Sequence, residues 1–133
     1  MTVLDETTIP ALLAGAKTIA LIGVSTNPAF HSHRVAAYLA EAGYTLHPVK
    51  SLDELEVPVD IVYGFVHPPE APDLARAAVA AGARALWLDE GVVSPEAEEI
   101  AAAGGLDCVT NRSMEIEHRV GIRGERRVHF IPM

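Results

Sequence analysis

Lys17-Thr-Ile-Ala-Leu-Ile-Gly-Val-Ser-Thr-Asn-Pro-Ala-Phe-His-Ser-His-Arg34 changes character twice along its length. Thr18 to Val24 is a short apolar run rich in Ile, Leu and Val, the pattern of a strand buried on both faces of a parallel sheet. At Gly23 the pattern breaks, and Gly, Ser, Thr, Asn and Pro follow within a few residues, so the chain turns. From Ser32 the spacing is helical, with Val35, Tyr38, Leu39 and Ala42 recurring at i, i+3, i+4 and i+7. Strand, glycine turn and helix together make the opening unit of a nucleotide-binding α/β domain. Backbone N–H groups and a helix N-terminus then face one point, which favours an anion.

Working outward, the same alternation repeats. Thr7 or Thr8 caps a short first helix, with Pro10 in its first turn and Gly15 past its end. Gly43 closes the helix that starts at Ser32, and Tyr44 to Val49 reads as strand 2. Asp60 to Val66 is strand 3, Ala85 to Leu88 is strand 4 and Leu106 to Val109 is strand 5. A helix is expected from about Pro69 to Ala81. Another starts at Ser94-Pro95, with Ser as cap and Pro at the first position. Asn111 to His118 reads as a turn and a short helix. Five strands alternating with helices give one α/β domain over residues 1–133, a Rossmann-like parallel sheet with helices on both faces. The expected strand order is 3-2-1-4-5, with ligands at the carboxyl ends near strand 1. Residues 119–133 form a basic tail, read as a hairpin turning at Arg123-Gly124 that serves as a charged edge or a subunit contact.

Composition narrows the partners. The chain has 133 residues and a net charge of −8, which argues against nucleic acid. No apolar run reaches the length of a membrane span. A single cysteine, Cys108, excludes an internal disulfide and fits a cytoplasmic protein. A homo-oligomer or a protein partner is left open.

The candidate chemistry is mostly negative. Gly23-Val-Ser25 lacks the second glycine of a dinucleotide fingerprint and offers Ser25 and Thr26 hydroxyls instead. Strand 2 ends at Val49-Lys50 with no acidic residue for a ribose, which disfavours an NAD(P)-linked enzyme. His31, His33 and His67 have no Cys or carboxylate at ligand spacing, so they read as polar loop histidines and no metal is expected. Residues 23 to 27 are not a nucleophile elbow, which disfavours acyl hydrolysis. Asp89-Glu90 reads as solvated charge at a turn, and Cys108 as an inert core thiol. Arg34 and Arg112 lie near helix or strand ends facing the expected site, and Arg suits phosphate.

Ile19-Ala-Leu-Ile-Gly-Val-Ser-Thr-Asn-Pro28, Ser32-His-Arg-Val-Ala-Ala-Tyr-Leu39, Gly43-Tyr44, Pro48-Val49, Glu90-Gly-Val92 and Asn111-Arg-Ser-Met-Glu-Ile-Glu-His118 resemble the small bacterial CoA-binding-domain proteins. These are similar to the CoA-binding domain of the succinyl-CoA synthetase α subunit. The resemblance runs from the first helix to His118. It implies non-catalytic binding of coenzyme A or an acyl-CoA against Gly23, Val24, Ser25, Thr26, Ser32, His33 and Arg34. Lys50, His67, Asp89 and Arg112, at neighbouring strand and helix ends, complete the candidate cofactor-binding set. The pyrophosphate is expected over the Gly23 turn, where a side chain at Gly23 would fill its space. The chain departs from the family pattern mainly at this end. The loop after strand 2 is shortened, and Phe30 stands where a basic residue is common. Val66-His67 follows Phe65 where Phe-Arg is usual, Asp89 replaces a common Gln and Ser113 a common Cys. A member that has lost CoA and acts through protein contacts is the alternative the departures allow.

Overall fold

The computed structural model describes residues 3–127. Five strands form one parallel sheet: β1 (Thr18–Ile22), β2 (Thr45–Val49), β3 (Ile61–Gly64), β4 (Ala85–Leu88) and β5 (Asp107–Val109). The helices are α1 (Ile9–Gly15), α2 (His31–Glu41), α3 (Ala71–Ala80), α4 (Pro95–Ala103) and α5 (Met114–Gly121).

The parallel α/β sheet agrees with the sequence; the place of one strand does not. The order is 2-1-3-4-5, not the expected 3-2-1-4-5. β3 pairs with β1 from Ile19↔Ile61 to Ile22↔Gly64 and lies between β1 and β4. The reason is written in the two strands. Every residue of β3 is buried, so it needs a neighbour on each side, whereas β2 is largely exposed or half-buried and contains Pro48. Proline cannot donate to a ladder and belongs on an edge. The chain order therefore reverses between β1 and β3, and the crevice at their carboxyl ends is the switch point.

Successive residues of each strand serve opposite layers. Ile19, Leu21, Ile61, Tyr63 and Trp87 pack with Leu13, Val35, Leu39 and Met114 of α1, α2 and α5. Ala20, Ile22, Val62, Leu86 and Cys108 pack with Leu74, Ala78, Ala97 and Ala101 of α3 and α4. A continuous apolar strand is thus two interleaved faces, each covered by helices. Ser94 caps α4 as its sequence implies, accepting the Ala97 N–H at 3.2 Å. At α1, Thr8 occupies the cap position without a side-chain cap bond; Asp5 organises that turn by accepting from Thr7 N–H at 2.9 Å.

The tail also departs from expectation. Arg119 and Val120 belong to α5, and no strand is present between residues 122 and 127. Val128 to Phe130, the second arm of the expected hairpin, lies outside the described residues. The basic side chains make intramolecular contacts. Arg127 donates to both oxygens of Glu117, at 2.8 and 2.9 Å. Arg119 pairs with Glu115 at 3.0 Å, and the guanidiniums of Arg119 and Arg123 lie 4.5 and 4.8 Å from the Tyr38 ring centre. Among the described residues, no helix is long and apolar enough to cross a membrane.

Candidate functional site

At the switch point the chain leaves β1 through Gly23, whose φ is +83°. A Cβ there would collide with the carbonyl oxygen of Phe65, just past β3. Glycine is therefore required by the turn and by the close approach of β3, which is a reason other than the one its sequence context implies. A side chain at Gly23 meets protein backbone before it meets ligand space.

The loop that follows is tied to the first turn of α2. Ser32 is not the helix cap: α2 begins at His31, with Phe30 in the cap position and no side-chain cap bond. The Ser32 hydroxyl reaches back and accepts the Ser25 N–H at 2.9 Å, and Ser25 Oγ in turn accepts the Asn27 N–H at 3.0 Å. Each hydroxyl keeps its own hydrogen to donate. Among the described residues, the N–H groups of Val24 and Thr26 have no protein acceptor. Nor do those of His31 and His33, because the first turn of a helix has no preceding carbonyls.

Val24 and Thr26 line a cleft of about 660 Å³ together with Gly23, Lys50, Phe65 and His67. Lys50 follows the edge strand β2, and His67 follows β3. Glu54 and Glu70 also stand on this cleft, and both carboxylates hold backbone: Glu54 accepts from Lys50 and Ser51 N–H, each at 2.9 Å, and Glu70 from His67 N–H at 2.9 Å. Lys50 is the lysine or arginine on this cleft, so a polyanion bound there meets mixed charge.

The remaining residues singled out in the sequence lie elsewhere. Arg34 lines a second hollow of about 370 Å³, between α2 and α5, together with His31, Ile116, Arg119 and Val120. His33 is half-buried in the first turn of α2. Arg112 pairs with Glu6 at 3.0 Å and Glu117 at 3.5 Å, so its guanidinium is engaged before any ligand arrives. Asp89 is not solvated charge but buried, 6% exposed. Its Oδ1 accepts the Tyr63 hydroxyl hydrogen at 2.6 Å, and its Oδ2 lies 3.1 Å from His31 Nε2. Burial, then the Asp89 charge, pushes the Tyr63 phenol well above its ordinary value. His31 and Tyr63 carry no local sequence signal for this: they come from α2 and β3, and only the sheet order brings both to the end of β4.

Phe65 joins the two hollows. It lines the larger cleft, stacks on Tyr63 with ring centres 4.3 Å apart, and meets the His31 ring edge-on at 6.3 Å.

Known proteins share this architecture. The uncharacterized protein YneT of Bacillus subtilis (strain 168) is 28% identical over 125 residues, covering 84% of this chain and 93% of that protein. The crystal structure of Prb, the PH1109 protein redesigned for binding, matches with a TM-score of 0.87 at 30% identity, covering 95% of this chain and 97% of that one. The structure of cell-free ID.343 from Thermus thermophilus matches with a TM-score of 0.83 at 30% identity, covering 89% and 99% of the two chains. The family model described as CoA binding domain matches residues 17–119, and the chain belongs to that family.

Proposed function

We propose that this chain binds coenzyme A or an acyl-CoA across the carboxyl ends of β1 and β3, as a binding module. The observation that carries the reading is the set of unpaired donors at the β1 turn. Val24 and Thr26 N–H groups and Lys50 converge on one cleft, in a chain of the CoA-binding-domain family. Backbone N–H groups and a nearby helix N-terminus suit a pyrophosphate. The Ser25 and Ser32 hydroxyl hydrogens supply two further donors beside it. Arg34 and His31 stand at the far side of Phe65, positioned for the opposite end of a long ligand. Arg112 contributes through the fold, by its bonds to Glu6 and Glu117.

A thermal-shift panel of CoA, acetyl-CoA, dephospho-CoA, NAD, NADP and ATP tests the reading. Stabilisation by the CoA series, rising with concentration, supports it. A second reading, contact with another protein, rests on Phe30, which is 57% exposed where the chain enters α2. Melting that is indifferent to every nucleotide but raised by a protein partner favours that second reading.

A further inference from the structure

We propose that Glu54 is the ribose acceptor of the switch-point cleft, so that this protein selects the CoA species lacking the 3′-phosphate, dephospho-CoA, over CoA itself. The inference rests on the CoA reading above and deepens it, from the phosphates to the sugar.

The sequence ends strand 2 without an acidic residue, but the turn that follows brings one back. Ser51 Oγ accepts the Asp53 N–H at 3.3 Å and opens a single 3₁₀ turn, Leu52–Glu54. Leu52 is buried in the core and anchors that turn. Glu54, three residues past the Ser51 cap, reaches back, and its Oε2 accepts both the Lys50 and the Ser51 N–H at 2.9 Å. The reciprocal pair is a capping box. The carboxylate of residue 54 therefore sits beside the backbone of residue 50, at the carboxyl end of β2.

That place matters because of its neighbour. β2 runs beside β1 with Val49 opposite Ile22, so the chain leaving β2 lies one strand spacing, about 4.8 Å, from the Gly23 turn. Gly23, Val24, Thr26, Lys50 and Glu54 line one cleft. In parallel sheets that hold a pyrophosphate at the turn after the first strand, an acidic side chain further along accepts a ribose hydroxyl. Glu54 is placed for that contact. Among the described residues its Oε1 has no protein hydrogen bond, and that atom has lone pairs for the 2′ and 3′ hydroxyls. The residue is exposed, so a ligand reaches it.

Charge sets the preference. A second carboxylate, Glu70, lines the cleft from the turn after β3, and Lys50 and His67 stand with it. With Lys50 drawn to the pyrophosphate, no lysine or arginine among the described lining residues remains for a third phosphate. A 3′-phosphate adds about 1.5–2 negative charges at pH 7, on the sugar that Glu54 faces. Like charges brought together there repel, and the ligand loses the hydroxyl that would have bonded the carboxylate. A free 3′-hydroxyl in the same place donates to Glu54, a bond to a charged acceptor. One carboxylate thus attracts one form of the ligand and repels the other, which is how a site discriminates.

Titration calorimetry at pH 7 with CoA and dephospho-CoA, on wild type, Glu54→Gln and Glu70→Gln, tests this. Wild type is expected to prefer dephospho-CoA by about ten- to a hundredfold, the range of one hydrogen bond to a charged group. Glu54→Gln keeps an amide oxygen for the Lys50 and Ser51 N–H groups, so the turn survives. It should cut the preference by about tenfold, weakening dephospho-CoA and strengthening CoA. Glu70→Gln removes an equal charge without the ribose contact; it should strengthen CoA while dephospho-CoA stays the tighter ligand. The wild-type ratio keeps the result readable should Glu54→Gln misfold. CoA bound by wild type as tightly as dephospho-CoA, or an unchanged ratio in Glu54→Gln, overturns this inference and leaves the CoA reading standing. No heat with either ligand overturns the CoA reading and this inference with it.

Discussion

Tyr63 donates its phenolic hydrogen to Asp89 Oδ1 across 2.6 Å, and its oxygen accepts the Met114 N–H at 3.1 Å. One buried hydroxyl thus joins β3, the end of β4 and the start of α5. Removing it leaves Asp89 Oδ1 and the Met114 N–H without that partner, while Asp89 Oδ2 keeps His31. Tyr63→Phe keeps the ring on Phe65 and is expected to cost about 1.5–3 kcal/mol, the range for a hydrogen bond to a charged group. Denaturant unfolding measures this, and a double-mutant cycle with Asp89→Asn should show coupling between the two sites. Additive effects would mean that the bond is energetically idle.

Gly23→Ala should destabilise the whole fold by more than about 1 kcal/mol, because a Cβ at positive φ strains the turn and strikes the Phe65 carbonyl. Urea midpoints for wild type and variant check it. Unchanged stability accompanied by lost ligand binding would restore the simpler idea that glycine clears room for a phosphate.

Cys108 should label slowly in the native state and quickly in denaturant. It is 2% exposed on β5, and burial pushes its thiol up to about 12, so almost no thiolate exists at neutral pH. Rapid native labelling at pH 7 would contradict its place in the core.

Acid sensitivity should trace in part to His118. Its Nδ1 lies 2.9 Å from Tyr38 Oη, and burial, then the Arg123 and Arg119 charges, lower its proton affinity below the ordinary value of 6.5. The unfolded chain binds that proton more readily. The contribution is therefore complete above the ordinary value and is lost as pH falls from there through the lowered folded value. Unfolding free energies of wild type and His118→Gln should diverge in slope over that acid window. Parallel curves would remove His118 from the account.

Sequence and structure agree where one strand's own residues decide the matter. The apolar runs of β1, β3 and β4, the Ser94 cap and the core position of Cys108 were all legible locally. Strand order was legible too, in Pro48 and in the unbroken apolar run around Ile61 to Gly64, but a topology borrowed from dinucleotide folds concealed it. The site was harder to read because its parts are far apart in the chain. His31 meets Asp89 only because β3 is inserted beside β1 and carries Tyr63 between them. Arg34 read as a phosphate ligand and Lys50 as one more candidate site residue, yet α2 turns Arg34 toward α5 while β2 delivers Lys50 to the switch-point cleft. Glu115 and Arg119 stand at helical i, i+4 spacing, but the ties of Arg119 to Glu125 and of Arg127 to Glu117 have no periodic signature.

Titration calorimetry with CoA on wild type and Lys50→Ala tests the central claim most directly. The account predicts saturable one-site binding to wild type, at micromolar or weaker affinity given the carboxylates of Glu54 and Glu70 on the cleft. It predicts affinity roughly tenfold lower or more in Lys50→Ala, since a charged hydrogen bond is lost. No heat with wild type at millimolar CoA, or equal affinity in the two proteins, would contradict it.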